Sequence, residues 1–151
     1  MPAASIDIHV MDMDGAGIDL RRLSALLDDE EGERAERFRF DRDRRRYIAR
    51  RGRLREMLSQ SLGCPASRIR FAWNAFGKPF VKETDLRFNV SHSRNIALVA
   101  IAHGRELGCD IELRDPRFAS EQIPERFFSP SETRALRDLD PTLQVEAFFN
   151  C

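Results

Sequence analysis

The segment LRFNVSHSRNIALVAIAHGRELGCDIE, Leu86 to Glu112, decides the fold class. Within it, Leu86 to Val90, Ile96 to Ala102 and Leu107 to Glu112 read as strands, separated only by Ser91-His92-Ser93-Arg94-Asn95 and by the His103-Gly104 turn signal. Connections that short cannot hold a crossover helix, so the spacing predicts a three-stranded antiparallel meander. On the third strand Asp110 and Glu112 would point to one side and Ile111 to the other, because side chains alternate with period two. Two like charges on one face repel, and a cation, an arginine partner or exposure to water must make the pair tolerable.

Upstream of this segment, Ser5 to Met11 alternates apolar Ile6, Ile8 and Val10 with polar Asp7 and His9, an early strand that ends at the Asp14-Gly15 turn signal. Apolar spacing from Leu20 to Leu27 is helical, and charged Asp28 to Phe40 continues as helix with Phe38 and Phe40 turned towards a core. A long helix over about Arg42 to Leu62 carries the apolar stripe Tyr47, Leu54, Leu58 and either Ser61 or Leu62, ends at Gly63 and Pro65, and bears arginine on its other faces. Ile69, Phe71 and Trp73 alternate as a strand before the loop Asn74 to Pro79. Beyond Arg117 the pattern is helical, and Ser129-Pro130-Ser131-Glu132 supplies an N-cap, a proline at the first helical position and a capping-box glutamate. Helices on an antiparallel sheet make an α+β domain.

The bulk composition narrows the classes of function. The chain has 151 residues, 42% of them hydrophobic and 33% charged, enough for a core of ordinary size. Its formal net charge is zero, which gives no electrostatic reason for a nucleic-acid or membrane partner. Cys64, Cys109 and Cys151 are odd in number, far apart and in no CxxC pair, against a disulfide framework or a zinc site. No apolar run approaches the ~20 residues that span a bilayer, and a reducing, cytoplasmic setting is expected.

Four constellations carry chemistry. Asp110 and Glu112 form an acid-x-acid pair of the kind magnesium accepts, since that hard cation takes one or two carboxylates and fills its shell with water and substrate phosphate. Ser91 and His92 offer a hydroxyl and an imidazole at a strand end, where they can hold a phosphate; neither a G-x-S-x-G elbow nor a third partner marks Ser91 as a nucleophile. Lys78 precedes Pro79 on a turn that can aim its point charge at a phosphate. The run RFRFDRDRRRYIARRGRLR can grip a polyanion, although Glu33, Glu36, Asp41, Asp43 and Glu56 are at hand to pair with most of its arginines.

The order of these elements is particular: YIARRGRLREML, then FGKPF, FNVSHS, GCDIE and RFFSPSE. From about Arg42 to Phe149 that succession resembles the 4'-phosphopantetheinyl transferases of the surfactin-synthetase-activating type. The resemblance implies transfer of the phosphopantetheine arm of coenzyme A to a serine of an acyl or peptidyl carrier protein, with release of 3',5'-adenosine bisphosphate. It implies that Asp110 and Glu112 hold magnesium against the cofactor's pyrophosphate, and that Lys78, Ser91 and His92 contact coenzyme A phosphates, joined by Arg46 and Arg51 of the long helix.

The family fold is a pseudo-dimer of two similar α+β halves. Residues 1–104 are expected to form a complete first half, and residues 105–151 a partial second half carrying the D-x-E motif. The chain ends at EAFFNC, where family members continue with a tryptophan and a lysine-glutamate pair. That glutamate, a third acid of the metal site and the base for the carrier serine, would lie beyond Cys151, so no catalytic base is assigned within the chain. Weak or absent transfer by this polypeptide is the matching expectation, with apolar surface left open at Leu136, Leu139, Phe148 and Phe149. Two other readings compete: a non-catalytic coenzyme A-binding remnant, and an arginine-rich nucleic-acid or protein interaction module.

Overall fold

A computed structural model describes residues 5–120 and 122–150. Cys151 lies outside the described residues. The chain divides into two compact units, Met1–Ile111 and Glu112–Cys151.

In the first unit the alternating N-terminal segment is strand β1 (Ile6–Asp12), followed by α1 (Leu20–Ser24), α2 (Asp29–Glu36) and the long helix α3 (Asp41–Leu62). A short 3-10 turn at Ala66–Arg68 leads into β2 (Phe71–Trp73), β3 (Pro79–Val81), β4 (Leu86–Ser93) and β5 (Ile96–His103). The main sheet has the antiparallel order β1-β5-β4, and β2 pairs with β3 in a separate hairpin. Register follows Val90 opposite Val99 and Val10 opposite Leu98. One face of the sheet therefore carries Leu86, Phe88, Val99 and Ile101, which form the core with Leu54 and Leu58 of α3. The other face carries Ile6, Ile8 and Val10, all exposed.

Several expectations are corrected. Leu107 to Glu112 is not a strand. Its Cys109 and Ile111 N–H groups point at β4 with the period of a strand, but they donate to the side chains of Asn89 (2.9 Å) and Ser91 (3.1 Å) rather than to a backbone ladder. The third strand of the sheet is β1 instead. Ser91, His92 and Ser93 belong to β4 rather than to a loop, and the connection to β5 shrinks to Arg94-Asn95, with Arg94 in the left-handed region (φ 52°). Ile69 closes the 3-10 turn instead of starting β2, β3 was not foreseen, and Phe40 is exposed. The compact units divide after Ile111, and residues 106–111 are hydrogen-bonded to the side chains of Lys78, Arg87, Asn89 and Ser91.

The arginines of α3 do not all face away from the apolar stripe. Arg51 and Arg55 sit on it, at helical spacing from Tyr47, Leu54 and Leu58. Arg55 is 1% exposed. Its Nε donates to Glu31 Oε2 (2.6 Å), its Nη2 to Asp28 Oδ2 (2.6 Å) and its Nη1 to the Ala66 carbonyl (2.9 Å). Asp28 and Glu31 are also the capping box that starts α2, so one guanidinium binds the head of α2 and the 3-10 turn to α3. A glycine in mid-helix is normally a liability, but Gly52 is where α1 crosses α3: a Cβ there would stand 2.7 Å from Leu23 Cβ and 2.8 Å from the Leu23 carbonyl oxygen.

The second unit contains α4 (Pro116–Ser120), α5 (Ile123–Phe127), α6 (Pro130–Arg137) and α7 (Pro141–Asn150). The Ser129–Glu132 capping box forms as expected, with Pro130 behind the cap. Leu136, expected to be open, is buried, and Phe148 packs between Phe128 (5.4 Å) and Phe149 (4.9 Å).

Two outcomes follow for stability in urea titrations. Gly52→Ala is expected to cost about 1–3 kcal/mol, since the added methyl meets backbone rather than a flexible side-chain end; an unchanged midpoint would show that α1 does not press on α3. Arg55→Met is expected to cost about 3–5 kcal/mol by removing one partner of the buried ion pair with Glu31, and a loss below about 1 kcal/mol would contradict the bridging role.

Candidate functional site

Alternation along β4 assigns its polar side chains to two faces. His92 shares the face of Leu86, Phe88 and Val90, towards α3, whereas Arg87, Asn89 and Ser91 share the opposite one. The opposite face is a docking strip for residues 106–111. Arg87 Nε donates to Glu106 Oε1 (2.9 Å), Asn89 Oδ1 accepts from Cys109 N, and Ser91 Oγ donates to Asp110 Oδ1 (2.6 Å) while accepting from Ile111 N. Ser91 and His92, adjacent in sequence and expected together, are thus separated by the sheet.

On the α3 side lies a cleft of about 880 Å³ between α2, α3, the β2-β3 hairpin and β4. Of the residues expected at the site it contains Arg51 and His92, and it also holds Arg34, Tyr47, Arg50 and Trp73. Arg51 pairs with Glu31 and lies over the Phe71 ring, 4.0 Å from its centroid. Burial, followed by the nearby Arg50 charge, lowers the His92 pKa from its ordinary value, which favours the neutral imidazole.

The other expected residues lie elsewhere. Arg46 makes a two-pronged pair with Asp14, its Nε 2.8 Å from Asp14 Oδ1. The hydrogen bond from Arg46 is the main reason the Asp14 carboxyl titrates below its ordinary value. Lys78 follows a tight turn in which Asn74 Oδ1 accepts from the N–H groups of both Phe76 and Lys78 (2.9 Å each). Its Nζ then donates to the Leu107 carbonyl (2.6 Å) and Glu106 Oε2 (3.0 Å), in a smaller hollow of about 160 Å³ beside Arg87. A further hollow of about 510 Å³ between β1 and α3 is lined by residues such as His9, Met11 and Met57 and holds none of the expected site residues.

Asp110 is the penultimate residue of the first unit and Glu112 opens the second. Both carboxylates are exposed. Asp110 accepts the Ser91 hydroxyl on one oxygen, and Glu112 Oε1 accepts the Leu113 N–H (2.9 Å). This hard-oxygen pair suits magnesium with water or phosphate completing the shell, although among the described residues no group of three or more His, Cys, Asp or Glu could hold a metal.

Most arginines of the basic run are neutralised, as their neighbours in sequence suggested: Arg37 pairs with Glu33, Arg42 with Asp43, Arg44 with Glu36 and Arg53 with Glu56. That pairing leaves little free charge for a polyanion groove on this helix. Arg50, Arg34 and Trp73 were missed as cleft residues. Arg50 stands three residues after Tyr47 and four before Leu54, so counting along the helix could have placed it beside the stripe; the place of Arg34 and Trp73 depends on how α2 and the hairpin close over α3.

Residues 17–104 match the family described as 4'-phosphopantetheinyl transferase, N-terminal. The 4'-phosphopantetheinyl transferase HetI of Nostoc sp. (strain PCC 7120) is 36% identical over 151 residues, an alignment covering 96% of this chain and 64% of the relative. The 4'-phosphopantetheinyl transferase Sfp of Bacillus subtilis (strain 168) is 30% identical over 130 residues, covering 85% of this chain and 57% of the relative. The mouse L-aminoadipate-semialdehyde dehydrogenase-phosphopantetheinyl transferase is 29% identical over 133 residues, covering 80% and 43%. The chain thus spans between about two fifths and two thirds of the length of these relatives. With its first unit matching the family along most of its length, the chain belongs to the 4'-phosphopantetheinyl transferases.

Proposed function

We propose that this protein acts in the transfer of 4'-phosphopantetheine from coenzyme A to a serine hydroxyl of an acyl or peptidyl carrier protein. The observation that carries the reading is the α3-β4 cleft, in which His92 and arginines converge within a chain of this family. In the reaction the carrier serine oxygen forms a bond to the phosphorus next to the pantetheine arm. The bond from that phosphorus to the bridging oxygen breaks, 3',5'-adenosine bisphosphate leaves with the electron pair, and the serine proton passes to solvent.

The roles of the chain's own residues follow from where they lie. His92 and Arg51 flank the cleft and would orient the cofactor's phosphates, the neutral imidazole as a hydrogen-bond partner and the guanidinium as a charge. Ser91 holds Asp110 by a hydrogen bond and so fixes the direction of that carboxylate. Lys78 clamps residues 106–107 and would keep the approach to Asp110 in place, with its charge available to a phosphate that displaces Glu106. Arg46 would contribute from the far side of α3 only after leaving Asp14. Asp110, with Glu112 two positions on, would hold magnesium, and when bound the ion would neutralise charge on the pyrophosphate. Free Cys64 and Cys109 are compatible with work in a reducing cytoplasm; no helix among the described residues is long and apolar enough to cross a membrane.

The test combines the protein, coenzyme A, magnesium chloride and an apo carrier protein, with mass spectrometry of the carrier. The expected result, matching the weak transfer expected of this polypeptide, is slow formation of a carrier serine bearing phosphopantetheine, with the rate falling at least about 100-fold in Asp110→Asn, a loss typical for removal of a charge-stabilising group. An unmodified carrier together with retained coenzyme A binding would leave a cofactor-binding protein without transfer, and absence of both would overturn the reading.

A further inference from the structure

Charge accounting along α3 singles out one arginine. Arg42, Arg44, Arg46, Arg51, Arg53 and Arg55 each have a carboxylate partner, and Arg45 is exposed to water. Arg50 is different: it is half-buried, it lines the cleft, and among the described residues it forms neither a hydrogen bond nor an ion pair. Its charged form is disfavoured first by burial and further by the like charges of Arg51 and Arg34, with the Tyr47 phenol acting the other way. Of the acids lining the cleft, Glu31 and Asp28 are spent on Arg51 and Arg55 and Glu33 on Arg37, while among the described residues Glu30 forms no ion pair with Arg50.

A guanidinium withdrawn from water without a partner is costly, and that cost is recovered when an anion enters. We propose that Arg50 is the arginine of α3 that takes an anionic group of the ligand, with His92 on β4 and Arg34 on α2 completing the subsite. The inference rests on the reading of the cleft as a coenzyme A site, and the anionic group it assigns to Arg50 is a phosphate of that cofactor. The planar fork of Arg50 gives two parallel donors to phosphate oxygens, while Arg34, exposed on α2, lies over the face of the Tyr47 ring, 5.7 Å from its centroid. Arg46 and Arg51, the arginines expected from the resemblance, are held by Asp14 and Glu31 and carry charges already neutralised.

Calorimetric titration with coenzyme A, and separately with inorganic pyrophosphate, tests the assignment in the parent protein and in Arg50→Gln, Arg50→Lys and Arg45→Gln. Trp73, the one tryptophan of the chain, lines the same cleft and reports by fluorescence that each variant keeps it intact. The expected result is a loss of about tenfold or more in affinity for both probes in Arg50→Gln, the scale of one charge-assisted hydrogen bond. Arg50→Lys should regain part of it, and Arg45→Gln should match the parent. Unchanged affinity in Arg50→Gln, or equal loss in the lysine variant, overturns the role of Arg50 and leaves the coenzyme A reading standing. A parent that binds pyrophosphate but not coenzyme A, with the loss in Arg50→Gln intact, keeps the anion subsite and removes the cofactor; a parent that binds neither removes both.

Discussion

The guanidinium of Arg55 is the constraint on which the first unit depends. It is buried, and Asp28, Glu31 and the Ala66 carbonyl supply its acceptors. Those two acids are also the cap of α2, so the start of that helix and its seat on α3 are one interaction. The cleft inherits its shape from the arrangement: α2 forms one wall because Arg55 and Arg51 hold Glu31, and Arg51 in turn covers Phe71 of the hairpin. Burying a network of this kind contributes little net stability, but it penalises any other placement of α2, since each alternative leaves a charge unpaired in the core.

Strand β4 performs a second division of labour. Its even-numbered residues build the core and end in His92 at the cleft, while its odd-numbered residues grip the segment that carries Asp110. One strand therefore sets both a candidate cofactor wall and a candidate metal carboxylate, and the pleat keeps their functions on separate faces. The segment 107–111 needs no ladder to stay in register, because Asn89 and Ser91 accept its N–H groups at every second residue. Side-chain acceptors hold it beside β4 with the Asp110 carboxylate exposed.

The arginine density of α3 separates into structural and available charge once partners are assigned. Paired arginines neutralise the helix surface and fasten it to α1, α2 and the first turn of the chain, through Glu56 with Arg22, Glu36 with Arg44 and Asp14 with Arg46. What remains in the cleft is a small excess of positive charge, carried by half-buried Arg50 and exposed Arg34, which attracts an anion.

Local patterns made much of this protein legible from its residues alone. The α+β class, the limits of α3 at Gly63, the hairpin of β4 and β5, and the Ser129 capping box follow from periodicity, caps and turn residues, which act within a few positions of one another. The order of GKP, SHS and GCDIE carried the family, and the acids flanking the basic run foretold that most of its arginines are paired. Tertiary structure alone decided that β1 and not Leu107–Glu112 completes the sheet, because strand pairing is settled by which edge is free and not by the apolar content of a segment. It also decided which arginines are spent: Glu31 lies 20 residues from Arg51 and Asp14 lies 32 from Arg46. Whether a charge is neutralised or available depends on partners that only the folded chain brings within reach.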